Sequence, residues 1–300
     1  MTDVFERLEK ISGVATRKDE LMSLHTSIGV GGPCDLMVWV SNESALQETV
    51  ALAKRHSLPL MVLGNASNVV VRDGGINGLV VRLVEDFAKA SVSGHQIRAG
   101  AGAHLPEVVS LATSSGIAGL EFLAGIPGTI GGAIATNAGG KDVWISNRLS
   151  RVKVLTAELR PLWLEARNLD FSYRQSGIDP QWVVMEAVLV GYQGRVGDIR
   201  QKVEENLARR RATQPEGERT AGCIFRNPPG DSAGRLIEKA GFKGLHRGGA
   251  QVSTVHANFI VNKGGATAKE ILDLIEDVRD GLKEAYGLDL NLEISVVGRD

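Results

Sequence analysis

Short apolar runs bounded by turn residues alternate with stretches of helical spacing along most of the chain. Asp35–Val40 reads as a strand, and Ser44 followed three residues later by Gln47 resembles a capping box opening a helix through about Arg55. Leu60–Leu63 is a short buried strand that runs straight into Gly64-Asn65-Ala66-Ser67-Asn68, after which Val69–Val71 and Leu79–Val81 read as two more strands. Alternating strands follow from about Ser91 to Ala99, and Leu105–Ala112 has the apolar spacing of a helix. From Leu149 to Tyr192 the pattern returns to strands, with Phe171–Arg174 on a loop between them, and Val196–Arg211 reads as an amphipathic helix apolar at Ile199, Val203 and Leu207. A boundary is expected near Gly194–Gly197. The last hundred residues predict a separate α/β unit. It comprises a helix over Ser232–Ala240, a strand at Asn258–Val261, a Thr267-to-Glu270 capping box opening a helix that Gly287 ends, and a closing strand at Leu290–Val297. Simple alternation in that last strand places Glu293 on the face opposite Leu292 and Ile294, as an ordinary solvent-facing glutamate would be. The fold class expected is α/β, with α+β character.

Composition narrows the function classes. Three hundred residues with 43% hydrophobic content suffice for two or three cores, and a net charge of −1 gives no general pull toward nucleic acid or anionic membrane. Neither a signal-peptide core at the N-terminus nor an apolar run of membrane-spanning length is present, so the expected location is the cytoplasm. Cys34 and Cys223 stand far apart without metal-ligand spacing, which argues for reduced thiols and against a metal site or a disulfide framework.

Two glycine-rich segments carry candidate chemistry. Gly119 to Gly140 packs seven glycines among small, nearly chargeless residues. Its backbone can lie against a large flat ligand, Pro127-Gly128 breaks any helix through it, and Asn137 adds a polar group to an otherwise apolar run. Gly64 to Asn68, set between strands, can turn successive amides toward an anion, or can be a plain polar turn. It lacks the later glycines and the following helix of a dinucleotide fingerprint, and no Gly-Lys-Ser/Thr follows as in a Walker loop.

The segments Thr26–Gly32, Leu63–Asn68, Gly119–Gly140, Phe171–Ser176, Gly222–Pro228 and Gly244–Asn262, with the terminal Glu293, occur in an order and spacing that resemble the UDP-N-acetylenolpyruvoylglucosamine reductase family over nearly the whole chain. The compact C-terminal region resembles the family's shorter form, without the extra tyrosine-bearing loop. The resemblance implies a vanillyl-alcohol-oxidase-type flavin fold. Its parts would be FAD-binding subdomains at 1–75 and 76–196 and a substrate-binding domain at 197–300. It also implies non-covalent FAD, NADPH as co-substrate, and reduction of UDP-N-acetylglucosamine enolpyruvate to UDP-N-acetylmuramate for peptidoglycan precursor synthesis. No nucleic acid, membrane or obligate protein partner is implied.

Carried over residue by residue, the resemblance gives Gly64, Asn65, Ala66, Ser67 and Asn68 to the FAD pyrophosphate. It gives Gly125, Ile126, Pro127, Gly128, Thr129, Gly131, Gly132, Ala133 and Ala138 to the flavin and adenosine. Hydride addition to an unsaturated carboxylate builds negative charge that needs cationic or hydrogen-bonding groups, and an acid for the adjacent carbon. Arg174 and Glu293 match the family's carboxylate-stabilising pair. Where many members have serine in the proton-donor motif, this chain reads Gly222-Cys223-Ile224-Phe225-Arg226-Asn227-Pro228, which makes Cys223 the expected acid. Tyr173, Arg211, Asn227 and His256 are the expected substrate contacts, although Arg209-Arg210-Arg211 also suits a plain helix end. Two other classes stay open: an oxidase or dehydrogenase of the same fold acting on an alcohol or lactone, and a non-catalytic flavin or nucleotide-sugar binder.

Overall fold

The structure is a computed structural model that describes residues 2–140 and 142–300. Two compact units are interleaved along the chain. The first takes Met1–Lys18, Leu36–Asn65 and Gly78–Ala208, and the second takes Asp19–Asp35, Ala66–Asn77 and Arg209–Asp300. The three consecutive segments expected from the sequence divide the chain differently: the chain passes between the units five times, once inside the loop predicted at 64–68 and once within the Val196–Thr213 helix.

The first unit is built on an antiparallel sheet in the order Pro161–Glu165, Leu149–Leu155, Val183–Val190, Gln96–Gly100, Ala90–Ser93. Val183–Val190 lies centrally, and its run of apolar residues is buried at Val183, Met185, Ala187, Val188 and Leu189. Ile97, Val108, Ile130, Ile134, Val152 and Leu189 share one core, and burying each such aliphatic side chain contributes about 1.5–3 kcal/mol. A four-stranded sheet in the order Val14–Leu21, Pro33–Val40, Ile76–Leu83, Leu60–Val62 lies for the most part in this unit. The Glu43–Arg55 helix buries Ala45, Leu46, Thr49, Leu52 and Ala53 at helical spacing. Its cap differs from the predicted one. Asn42 accepts from Ala45 N–H at 3.0 Å, whereas the Ser44 hydroxyl donates to the Glu48 carboxylate at 3.2 Å. Ser44 already lies inside the first turn and cannot take the cap's extended backbone.

In the second unit an antiparallel sheet runs Arg219–Cys223, Phe259–Asn262, Ala250–Val252, His246–Arg247, and Ser295–Val297 pairs in parallel with Val69–Val71. The Ala268–Tyr286 helix buries Ile271, Leu274, Ile275, Val278 and Leu282 on one face, within a core that also takes Ile28, Val30 and Val70 from far earlier in the chain. The Thr267/Glu270 capping box forms as predicted, and Gly287 ends the helix with φ +66°. Asp73 adds a second cap, its two carboxylate oxygens accepting from Ala268 N–H and Lys269 N–H at 2.8 Å each. The predicted Leu290–Val297 strand is a strand only over Ser295–Val297. Residues 291–293 instead pair with the 224–226 segment, which bends the chain at Glu293 and removes the alternation argument for that residue.

Candidate active site

The predicted acid sits at a defect in a strand. From Thr220 to Cys223 is three residues, while the paired stretch from Val261 to Phe259 is two, so one residue is extra and the strand carries a bulge. Gly222 supplies the left-handed backbone there, with φ +80°. A bulge re-aims the side chain that follows it, and the one that follows is Cys223, half-buried. Immediately beyond, Asn258 locks the chain. It is 3% exposed; its side-chain oxygen accepts from Phe225 N–H at 2.9 Å and its amide donates to Phe225 C=O at 2.8 Å. The Asn258 carbonyl accepts from Ile224 N–H at 2.8 Å.

Three sequence-distant segments meet around this lock, all within the second unit. Glu293 N–H donates to Ile224 C=O and Arg226 N–H donates to Asn291 C=O, each at 2.8 Å. Asn68 donates its side-chain amide to Glu293 C=O at 3.1 Å, and its carbonyl accepts from Ser295 N–H at 2.9 Å. A side-chain carbon at Gly222 would stand 3.6 Å from the Ser67 carbonyl oxygen. The Ala66–Asn68 half of the loop, the cysteine and the glutamate are therefore set by one backbone framework. Ala66 is itself left-handed, with φ +45°, and its carbonyl accepts from Ser27 N–H at 3.3 Å, which gives the Thr26–Gly32 motif its place beneath the loop.

Other predicted positions in this unit are more dispersed. His256 is half-buried, its Nδ1 accepting from Asn258 N–H at 3.2 Å and its ring meeting Phe259 edge-on at 4.9 Å between centroids. Burial pushes its pKa below the ordinary imidazole value. Asn227 is exposed, and its side-chain oxygen accepts from Ala233 N–H at 3.0 Å at the start of the Ala233–Lys239 helix. Arg211 is exposed in the last turn of the Val196–Thr213 helix, where the macrodipole favours it without any ligand.

The first unit holds the glycine wall and the arginine. The wall is a turn at Glu121–Leu123, a loop, and a six-residue helix, Ile130–Ala135, whose Thr129 cap accepts from Gly132 N–H at 3.4 Å. Pro127-Gly128 does interrupt it. Gly125, Pro127, Gly132 and Ala135 are exposed, while Ala124, Thr129, Ala133 and Ala138 are buried, so the surface presented is backbone and small side chains. Gly64 packs on this wall, since a side-chain carbon there would fall 2.5 Å from the Thr129 hydroxyl. Gly132 is different: its nearest outside neighbour would stand at 3.6 Å, so packing within the protein does not demand glycine there. An exposed, unhindered, side-chain-free position in a small-residue wall fits a flat ring system such as that of FAD.

Arg174 lies at the tip of a two-residue turn. Ser172 and Gln175 exchange backbone hydrogen bonds at 3.1 Å each, and Arg174 has φ +60°, a left-handed backbone unusual for a long side chain. Its guanidinium lies 5.6 Å over the Tyr173 ring. Such strain persists only where surrounding contacts over-determine it, and it collects at functional sites.

Comparison with known proteins accords with this geometry. Residues 34–161 match the FAD binding domain family, and residues 214–297 match the C-terminal domain of UDP-N-acetylenolpyruvoylglucosamine reductase. The UDP-N-acetylenolpyruvoylglucosamine reductase of Desulforamulus reducens is 39% identical over 300 residues, covering 100% of this chain and 99% of its own. The chain belongs to the UDP-N-acetylenolpyruvoylglucosamine reductase family. The Moorella thermoacetica reductase is 42% identical over 280 residues, 93% of this chain and 92% of its own. The crystal structure of the Thermus caldophilus reductase, at 36% identity, gives a TM-score of 0.83 over 94% of this chain and 98% of that one. Phl p 4.0202, a glucose dehydrogenase, matches at 15% identity with a TM-score of 0.50 over 65% of this chain and shares the fold alone. The fold is thus the vanillyl-alcohol-oxidase-type FAD-binding fold with a reductase-family C-terminal domain.

Asn258 belongs to no motif that marks it as a site residue, and Asn137 stands out in the sequence only by its polarity. A buried asparagine at the start of an apolar strand is the available signal for the first, since a buried amide must be satisfied by a specific partner. The sequence does not say which.

Proposed function

We propose that this chain catalyses the FAD-dependent, NADPH-consuming reduction of UDP-N-acetylglucosamine enolpyruvate to UDP-N-acetylmuramate, in peptidoglycan precursor synthesis in the cytoplasm and without an obligate protein partner. Among the described residues no helix is long and apolar enough to cross a membrane. The functional division is FAD-binding over 1–75 and 76–196, and substrate-binding over 197–300. When bound, FAD supplies the hydride, taken from NADPH, that adds to the enolpyruvyl methylene carbon.

The residues of the chain do the rest. Gly64, Asn65, Ala66, Ser67 and Asn68 hold the pyrophosphate, and the wall from Gly125 to Gly132 with Ala138 holds the rings against small residues. Arg174 grips the substrate carboxylate, and Glu293, in its protonated form, donates a hydrogen bond to the same developing charge. The Cys223 thiol gives its proton to the carbon next to the carboxylate, and the thiolate left behind is reprotonated from solvent. Tyr173, Arg211, Asn227 and His256 contact the nucleotide sugar. Neutral His256 suits a hydrogen-bonding role, because burial disfavours its charged form.

The observation that carries this reading is the framework joining Ile224 to Glu293 and Arg226 to Asn291, which sets the proposed acid and carboxylate partner from one backbone. Anaerobic stopped-flow tests it. NADPH bleaches the flavin absorbance of the FAD-loaded chain, and UDP-N-acetylglucosamine enolpyruvate then restores it. Bound flavin that NADPH does not bleach would instead indicate a non-catalytic binder, and NADPH-independent, oxygen-dependent turnover of an alcohol or lactone would indicate an oxidase.

A further inference from the structure

Two left-handed, non-glycine residues of the first unit are joined through one side chain. Asn137 has φ +43° and Arg174 has φ +60°. The Asn137 side chain is buried, at 3% exposure. Its amide donates to Ser172 C=O at 2.9 Å, and its oxygen accepts from Ser146 N–H at 3.3 Å. Ser172 is the residue whose backbone closes the turn bearing Arg174, through reciprocal 3.1 Å bonds with Gln175, and its hydroxyl adds a third bond to the Gln175 side chain at 3.1 Å.

We propose that Asn137 is a positioning residue for Arg174: from within the glycine wall it fixes the carbonyl that closes the arginine's turn, so that the guanidinium is presented at one height and angle. This rests on the function proposed above, in which Arg174 grips the substrate carboxylate. The residue type suits the task. Asparagine tolerates the left-handed backbone better than other residues with a side chain, and its amide carries a donor and an acceptor, which the two bonds use in opposite directions. Aspartate at 137 would keep the shape and the bond from Ser146 but turn a second acceptor toward the Ser172 carbonyl. Glycine would keep the backbone and drop both bonds. Bidentate recognition of a carboxylate depends on angle, and a displacement of about 1 Å can lower a rate about a hundredfold.

The test is a double-mutant cycle on the FAD-loaded chain, with the substrate-dependent return of flavin absorbance followed after anaerobic reduction by NADPH. Thermal midpoint and retained FAD are measured on every variant. In the Arg174 background, Asn137→Asp slows the return about tenfold to a hundredfold at saturating substrate, while NADPH bleaching stays within about twofold. In the Arg174→Ala background the same substitution adds less than about twofold, because the residue acts through the arginine. An equal slowing in both backgrounds, or no slowing in the first, overturns the proposal. If Asn137→Asp does not retain FAD, Asn137→Gly takes its place in the cycle, and loss of FAD by both variants overturns the proposal by assigning Asn137 to the wall itself. An unmodified chain that NADPH does not bleach, or that the substrate does not restore, counts against the proposed function instead.

Discussion

The chain holds two of its three proposed chemical side chains, the acid and the arginine, in opposite ways. Cys223 follows a strand bulge whose next residues are locked by Asn258, by Glu293 N–H and by the Phe259 pairing, much of it buried. Arg174 rides a turn whose members Ser172, Tyr173 and Gln175 are exposed, closed by its own hydrogen bonds and reached from the wall by Asn137. Supports under the cysteine are also supports of the fold. Supports under the arginine are separable from it, which suits a group that must meet an incoming carboxylate.

The largest effect sharpens this contrast at the chemistry itself. Cys223→Ala slows the substrate half-reaction about 10²–10⁴-fold, the usual weight of a positioned acid, with NADPH bleaching unchanged in stopped-flow. Next comes the lock. Asn258→Ala leaves the N–H and the C=O of Phe225 without their partners, each a loss of about 1–3 kcal/mol, so urea unfolding shows about 2–6 kcal/mol of lost stability. Asn137→Gly, by comparison, changes stability by about 1 kcal/mol while changing rate, because glycine takes the left-handed backbone and exposed Ser172 can turn its carbonyl to water. If the two asparagine variants lose similar stability, the contrast between the regions is broken.

Local signals were legible where their partners are local. The Thr267/Glu270 box and the Gly287 stop lie within one helix and formed as read, and Pro127-Gly128 broke the wall as read. Asn42 and Ser44 are both competent caps two residues apart, so spacing alone could not choose between them. The apolar pattern extends the closing strand too far toward the N-terminus, because residues 291–293 pair with the distant 224–226 segment and no local periodicity reports such a partner. The interleaving of the two units and the roles of Asn137 and Asn258 have the same origin: a buried amide declares that it needs partners, not which ones.

Smaller effects probe the surroundings of the cysteine. Cys34 is fully buried and its thiol is pushed up to about 11, chiefly by desolvation, so at pH 8 it is almost entirely protonated. Iodoacetamide therefore labels half-buried Cys223 and not Cys34 in the folded protein, as peptide mass mapping reads directly. His256 gives the smallest effect. Its folded pKa lies below that of the unfolded chain, so as pH falls the unfolded chain takes up the proton first. Its contribution is present above about pH 6.5 and is lost on acidification through the folded value. His256→Gln flattens the fall in stability on acidification below about pH 6.5, measured by denaturant titration at each pH.

The measurement closest to the central claim compares Cys223→Ser with Cys223→Ala in the same anaerobic half-reaction. Serine carries a transferable proton at the same place in the locked segment and alanine does not. The account predicts that both variants bleach with NADPH at the unmodified rate, and that serine recovers the substrate-dependent return at least about tenfold over alanine. Alanine returning at the unmodified rate, or serine no faster than alanine, would contradict the assignment of the proton to residue 223.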